Sequence, residues 1–172
     1  MSKRKKSITK QTVESFVKDI ASGKPTPGGG AVAAFTGATA AALVEMVCTL
    51  TIGKKEYGRF ENKLQNIQKN SLEYRKKLLK LADDDVAAFT SVMEGYRSGD
   101  KEKIKRSLKR AMEVSMEVKK LVTELQKMAI TVSKFGNKNA ISDAKTAIYL
   151  CGASGKSAWE NVKINKQALK NL

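Results

Sequence analysis

Residues 25–55 read PTPGGGAVAAFTGATAAALVEMVCTLTIGKK, and their reading decides the fold. Pro25 and Pro27 fix φ, while Gly28, Gly29 and Gly30 leave the backbone bare. An unusually small-residue helix is expected to follow, because between Ala31 and Ile52 the only charged side chain is Glu45. Backbone amides running into a helix N-terminus form a cradle for an anion or ligand. A plain loop followed by a buried core helix accounts for the same pattern. Neither dinucleotide-binding nor P-loop spacing is present. The apolar run is about long enough to cross a bilayer. It nevertheless holds Glu45, four threonines and many alanines, with no aromatic belt. Ala33, Gly37 and Ala41 suit close helix–helix contact, so a buried central helix is expected and no membrane partner.

Working outward, Thr9 or Thr12 can cap a first helix carrying Val13, Phe16, Val17 and Ile20 at helical spacing. A third helix is expected from about residue 60 to 97, broken by Ser98-Gly99-Asp100. A fourth runs from about 101 to 134, with Val114-Ser115-Met116 as a candidate irregularity. Phe135-Gly136-Asn137 closes it, and a last helix starts near Ser142 as N-cap. No segment keeps a strand's two-residue period. The expected fold is all-α, an antiparallel bundle of about five to six helices in a single domain spanning residues 1–172. Residues 1–7 read as a basic, frayed tail, with no apolar run after them to make a signal peptide.

Composition narrows the chemistry. The chain has 172 residues, a net charge of +16 and no histidine. Anionic partners are expected, a histidine-ligated metal is excluded, and acid–base work falls to carboxylates, lysines, tyrosines or backbone. Nucleic acid is the usual partner of so basic a chain. Here the lysines are scattered along helical faces and aromatics are few, so a solvated surface explains them too. Cys48 and Cys151 sit far apart in apolar contexts, as reduced thiols of a cytoplasmic protein would.

Three places carry candidate chemistry. In LADDDVAAF, residues 81–89, Asp85 falls inside the apolar sector of its helix, Asp83 on the flank, and Asp84 points away. A carboxylate among apolar neighbours is costly unless paired or lining a cavity, and burial raises its pKa toward the range of a general acid or base. A polar pin hydrogen-bonded to a neighbouring helix is the plainer reading. In GNKNAISD, residues 136–143, Asn137, Ser142 and Asp143 stand out, although capping explains Ser142 and Asp143. Asn161 and Asn165 lie on one side of the last helix. Lys54, Lys55 and Arg59 form a basic group at the end of the second helix, either a solvated helix end or a dock for an acidic tail.

Together, PTPGGGAVAAF with its helix, LADDDVAAFTSVM, and GNKNAISDA followed by NVKIN resemble the formimidoyltetrahydrofolate cyclodeaminase / methenyltetrahydrofolate cyclohydrolase family, over about residues 16–165. The resemblance implies an all-helical, commonly dimeric enzyme acting on one-carbon units of tetrahydrofolate, with no tightly bound cofactor. It implies an activity-bearing carboxylate in the Asp83-x-Asp85 segment; with Asp85 the one in the apolar sector, Asp85 is the expected group, with Asp83 or Asp143 as its partner. Substrate binding would fall to Pro27, Gly28, Gly29, Gly30, Ser142, Asn137, Asn161 and Asn165, with Lys54, Lys55 and Arg59 receiving the glutamate tail. Relatives often carry proline near Ser115, which would change a kink, and a small uncharged residue near Glu45. Methenyltetrahydrofolate cyclohydrolase is the first expectation and the cyclodeaminase the alternative; a chain of this length, without the transferase domain of some cyclodeaminases, favours the first. A nucleic-acid-binding bundle, or a helical scaffold that has lost activity, are the rivals.

Overall fold

A computed structural model describes residues 7–172. The elements are α1 (Val13–Ala21), α2 (Gly29–Thr49), α3 (Glu61–Ser98), α4 (Lys101–Phe135) and α5 (Ile141–Lys170), with short 3-10 turns at Ile8–Lys10, Lys55–Phe60 and Lys138–Ala140. No strand occurs among the described residues. Of the expected basic tail, residues 1–6 lie outside the described residues, while Ser7 is hydrogen-bonded to α3 rather than frayed.

Cross-links between helices give the topology. Gly30 meets Asp85, Glu45 pairs with Arg75 and Thr49 with Gln68, so α3 runs antiparallel to α2. Ser154 bonds Ala33 and Ser157 bonds Gly29, so α5 is antiparallel to α2 as well. Gly37 meets Val122 and Gly136 meets Val47, so α4 runs parallel to α2. The result is an up-down-up-down four-helix bundle, with α1 laid against one end.

The small residues of α2 explain its central position. Ala31, Ala34, Ala40, Ala41, Val44, Val47 and Cys48 are fully buried. A Cβ on Gly37 would lie 2.6 Å from Val122 Cγ1, so only glycine permits α2 and α4 to pack this closely. By length and composition α2 could cross a membrane, but it sits among α3, α4 and α5. Leu64, Leu78 and Leu125 fill the surrounding core, each contributing about 1.5–3 kcal/mol of burial. Because α3, α4 and α5 are longer than α2, they continue past its N-terminus and close a second, smaller core of Ala88, Val92, Ile104, Leu108 and Ala111.

Three local expectations are corrected, and one left open, the cap of α1, is resolved. In α1 only Phe16 is buried, stacked on Phe35 at 5.1 Å, while Val13, Val17 and Ile20 face outward. Thr12, not Thr9, caps that helix by accepting from Ser15 N–H. Helix α4 runs unbroken through Val114-Ser115-Met116, where the Ser115 hydroxyl donates to Ala111 C=O and is thereby accommodated in the core. Ser142 is not the N-cap of α5: Ala140 holds that position without a side-chain bond, and Ser142 lies exposed in the first turn.

Candidate functional site

Asp85 projects from α3 onto the first turn of α2. Its carboxylate accepts the Ala31 N–H, so the anion cradle expected of the glycine turn is occupied by the chain's own side chain. The approach depends on Gly30: a Cβ there would lie 2.6 Å from Asp85 Cγ, and closer still to Oδ1. Gly28 is the N-cap of α2 and offers no side chain to compete. Burial pushes the Asp85 carboxyl up to about 6, and the Ala31 amide only partly offsets that. No salt bridge involving Asp85 occurs among the described residues. A carboxylate that is half-buried, uncompensated by a cation and close to neutrality in pKa has the properties of a general base.

The neighbouring aspartates have other duties. Asp83 accepts from the Ser7 hydroxyl at 2.5 Å and from Ile8 N–H at 2.7 Å, pinning the N-terminal turn to α3. Asp84 points away as expected and pairs with Lys80 at 2.8 Å and Arg110 at 3.6 Å. On the other side of the glycine turn, Ser157 donates to Gly29 C=O at 3.3 Å, and Asn161 Nδ2 lies near the same residue. The amides of Asn161 and Asn165 each donate back to a carbonyl of their own helix. Their carbonyl oxygens are therefore the parts available to a ligand. Ser7, Ile8 and Ser157 carry no sequence signal that singles them out; only the folded contacts do.

A cavity of about 960 Å³ opens beside this turn. Its walls are Pro25, Thr26 and Pro27, Gln11 with the Ser15 and Asp19 side of α1, and the α3 stripe Asp83, Val86, Phe89, Met93 and Arg97. It lies where α3 outruns α2, so α1 and the proline turn, rather than a fourth helix, form the opposite wall. Asp85 is not on that wall; it flanks the cavity one turn before Phe89. The size matches small-molecule sites.

The remaining expected site residues lie at the other end of the bundle. Asn137 is buried and donates its side-chain amide to Leu50 C=O at 2.9 Å and its backbone N–H to Thr51 Oγ1 at 2.8 Å. It holds the C-terminus of α2. Arg59 stacks on Phe60, which packs on Phe135 at 4.5 Å, and Lys54 and Lys55 flank a shallow depression with Glu56. Asp143 and Ser142 begin α5 beside them. Eighteen residues of α5 separate Asp143 from Asn161, roughly 27 Å at helical rise. Within one chain Asp143 therefore cannot partner Asp85, and Lys54, Lys55 and Arg59 are far from it. Helical periodicity assigns faces but not ends, which is why the sequence grouped them. Among the described residues no three metal-ligating side chains converge.

Residues 12–172 match the family model described as formiminotransferase-cyclodeaminase. A methenyltetrahydrofolate cyclohydrolase of Methylorubrum extorquens is 40% identical over 168 residues, covering 92% of this chain and 81% of the relative. The formimidoyltransferase-cyclodeaminase of Mus musculus is 25% identical, and this chain spans only 31% of its length. Among solved structures, a formiminotetrahydrofolate cyclodeaminase from Thermotoga maritima superposes with a TM-score of 0.90 at 37% identity, covering 94% of this chain and 81% of that one.

Proposed function

Because the chain belongs to the formiminotransferase-cyclodeaminase family, we propose that it hydrolyses 5,10-methenyltetrahydrofolate to 10-formyltetrahydrofolate, with Asp85 as the general base. The observation that carries the assignment of Asp85 is its position: an uncompensated carboxyl with pKa pushed up to about 6, held on the Ala31 amide beside the cavity. The enzyme is a folate one-carbon hydrolase, and its substrate presents a cationic amidinium carbon between N5 and N10. An ionised Asp85 attracts that cation and takes a proton from the attacking water. The water oxygen bonds to carbon, giving a tetrahedral intermediate. The C–N5 bond then breaks as N5 takes up the proton from Asp85, the carbinol hydroxyl gives its proton to solvent, and the resulting formyl group stays on N10. The step consumes only water and the folate, and no tightly bound cofactor enters it.

The same pocket fits a second reaction, closure of 5-formimidoyltetrahydrofolate with release of ammonia, which passes through a tetrahedral carbon of the same kind. The Thermotoga structure of that name favours this reading. Assaying the purified protein on each folate separates the two. Hydrolysis of the methenyl compound with no ammonia release supports the first, the converse supports the second, and activity on neither overturns both.

The partner state belongs to the same proposal. The outer face of α2, Thr39, Ala42, Leu43, Met46 and Leu50, is at least partly exposed and carries no charge. On a chain of net charge +16, a second copy meets least repulsion there. We assign that face to a homodimer. The cytoplasm is the proposed compartment, since Cys48 and Cys151 are free buried thiols.

A further inference from the structure

The C-terminal third of α3 presents an ordered series of chemistries along one wall of the cavity. Val86, Phe89 and Met93 give an apolar stripe and Arg97 ends it, while Asp85 flanks the start of the stripe without lining the cavity. Val86, Phe89, Met93 and Arg97 recur at three- and four-residue spacing and so share one face of the helix. Arg97 has no acidic partner among the described residues; the nearby Glu94 is taken by Lys103. The other charges on the cavity are already engaged, Asp19 with Lys24 and Asp83 with Ser7 and Ile8. Arg97 is thus the one cation lining the cavity that has no acidic partner among the described residues.

We infer that this stripe is the track for the p-aminobenzoyl-glutamate half of the substrate, with the ring on Phe89 and Met93 and the tail carboxylates on Arg97. The inference rests on the folate reading above. Reach supports it: twelve residues separate Asp85 from Arg97, roughly 18 Å of helix. Helical side chains lean toward the N-terminus, so an extended arginine returns about 6 Å of that. The remaining gap of about 12 Å matches the bond-length span from the methenyl carbon to the glutamate carboxylates. A flat guanidinium also suits two-pronged pairing with a carboxylate. The tail therefore needs nothing from Lys54, Lys55 or Arg59 at the far end of the bundle.

Steady-state kinetics on the full chain tests this with two substrates, 5,10-methenyltetrahydrofolate and the methenyl-tetrahydropteroate that lacks the glutamate. Arg97→Gln is expected to raise KM for the first by roughly tenfold to a hundredfold, the loss of charged hydrogen bonds. Its kcat stays within about twofold, and KM for the tail-less substrate does not move. Arg97→Lys restores part of the loss. The double variant Lys54→Gln/Lys55→Gln leaves both KM values unchanged. An unaltered KM in Arg97→Gln, an equal rise for both substrates, or a rise confined to the Lys54/Lys55 variant overturns the track. Wild-type protein that turns over neither compound fails the cyclohydrolase reading itself, and the track with it.

Discussion

Gly30 and Asp85 are in direct contact across the α2–α3 interface, and neither position tolerates the other's enlargement. Glycine inside a helix ordinarily costs about 1 kcal/mol relative to alanine, so Gly30→Ala should stabilise an unconstrained helix. Here the new methyl overlaps the Asp85 carboxyl and must displace it from the Ala31 amide. Gly30→Ala is expected to destabilise by about 1–3 kcal/mol and to depress turnover. In an Asp85→Ala background the same substitution becomes neutral or stabilising. A double-mutant cycle by denaturant unfolding measures the coupling, and additive effects would refute the contact.

Asp85→Asn should reduce turnover by about a hundredfold to ten-thousandfold while leaving the fold intact. The wild-type rate should rise with pH through about 6 and level off, since the ionised carboxyl is the active form. Stability moves in the opposite direction. Burial raises this carboxyl from its ordinary value of 3.8 to about 6, so the folded chain holds the proton more tightly than the unfolded chain. Between those pH values the unfolded chain ionises first and stability falls, by on the order of 3 kcal/mol in total. The asparagine variant lacks that decline and should be at least as stable as wild type at pH 7. Thermal unfolding of both proteins between pH 4 and 7 checks the sign; a variant that melts far lower at pH 7 means the carboxylate is a structural pin.

The sequence places Asp83 on the flank of the apolar sector as a partner for Asp85, and their bonds separate the two further. Asp83 is saturated by Ser7 and Ile8, so Asp83→Ala should cost about 1–3 kcal/mol and speed amide exchange at Ile8. Turnover should fall less than tenfold. A loss as deep as that of Asp85→Asn would return Asp83 to the catalytic group.

Much of this fold was legible because apolar spacing reports helices directly: the ends of α3 and α4 fell within about two residues of expectation. Asp85 was legible for the same reason, as a charge in an apolar sector. What periodicity does not carry is which helix ends meet. Asp143, Ser142, Asn137, Lys54, Lys55 and Arg59 are grouped with the glycine turn by the family resemblance but occupy the opposite end of the bundle. Nor could it tell that Val13, Val17 and Ile20 would stay exposed, because a nine-residue helix buries only the one stripe that meets its neighbour. Arg97 drew no attention, being an ordinary charged residue near a helix end.

Glu45, the lone charge in α2, is answered by Arg75 of α3, which grips it through Nε at 2.7 Å and Nη2 at 3.1 Å. The pair is partly buried, so removing the arginine strands a carboxylate beside the fully buried Cys48. Arg75→Ala should therefore destabilise by about 1–3 kcal/mol. Arg75→Lys recovers little, because an ammonium cannot span both oxygens. Urea unfolding reads the difference, and a lysine variant as stable as wild type would show that charge alone suffices.

The uncharged face of α2 makes the last prediction. Soluble helices normally place charges on their open side, yet Thr39, Ala42, Leu43, Met46 and Leu50 offer none across three turns. If a second copy covers this face, a cation there is brought against its own symmetry mate and desolvated. Ala42→Arg combined with Met46→Lys keeps good helix formers and leaves Asp85 and the cavity untouched. Sedimentation should then find wild type as a dimer and the double variant as a folded monomer with unchanged helical circular dichroism. Wild type that sediments as a monomer, or a variant that still pairs, would place the interface elsewhere.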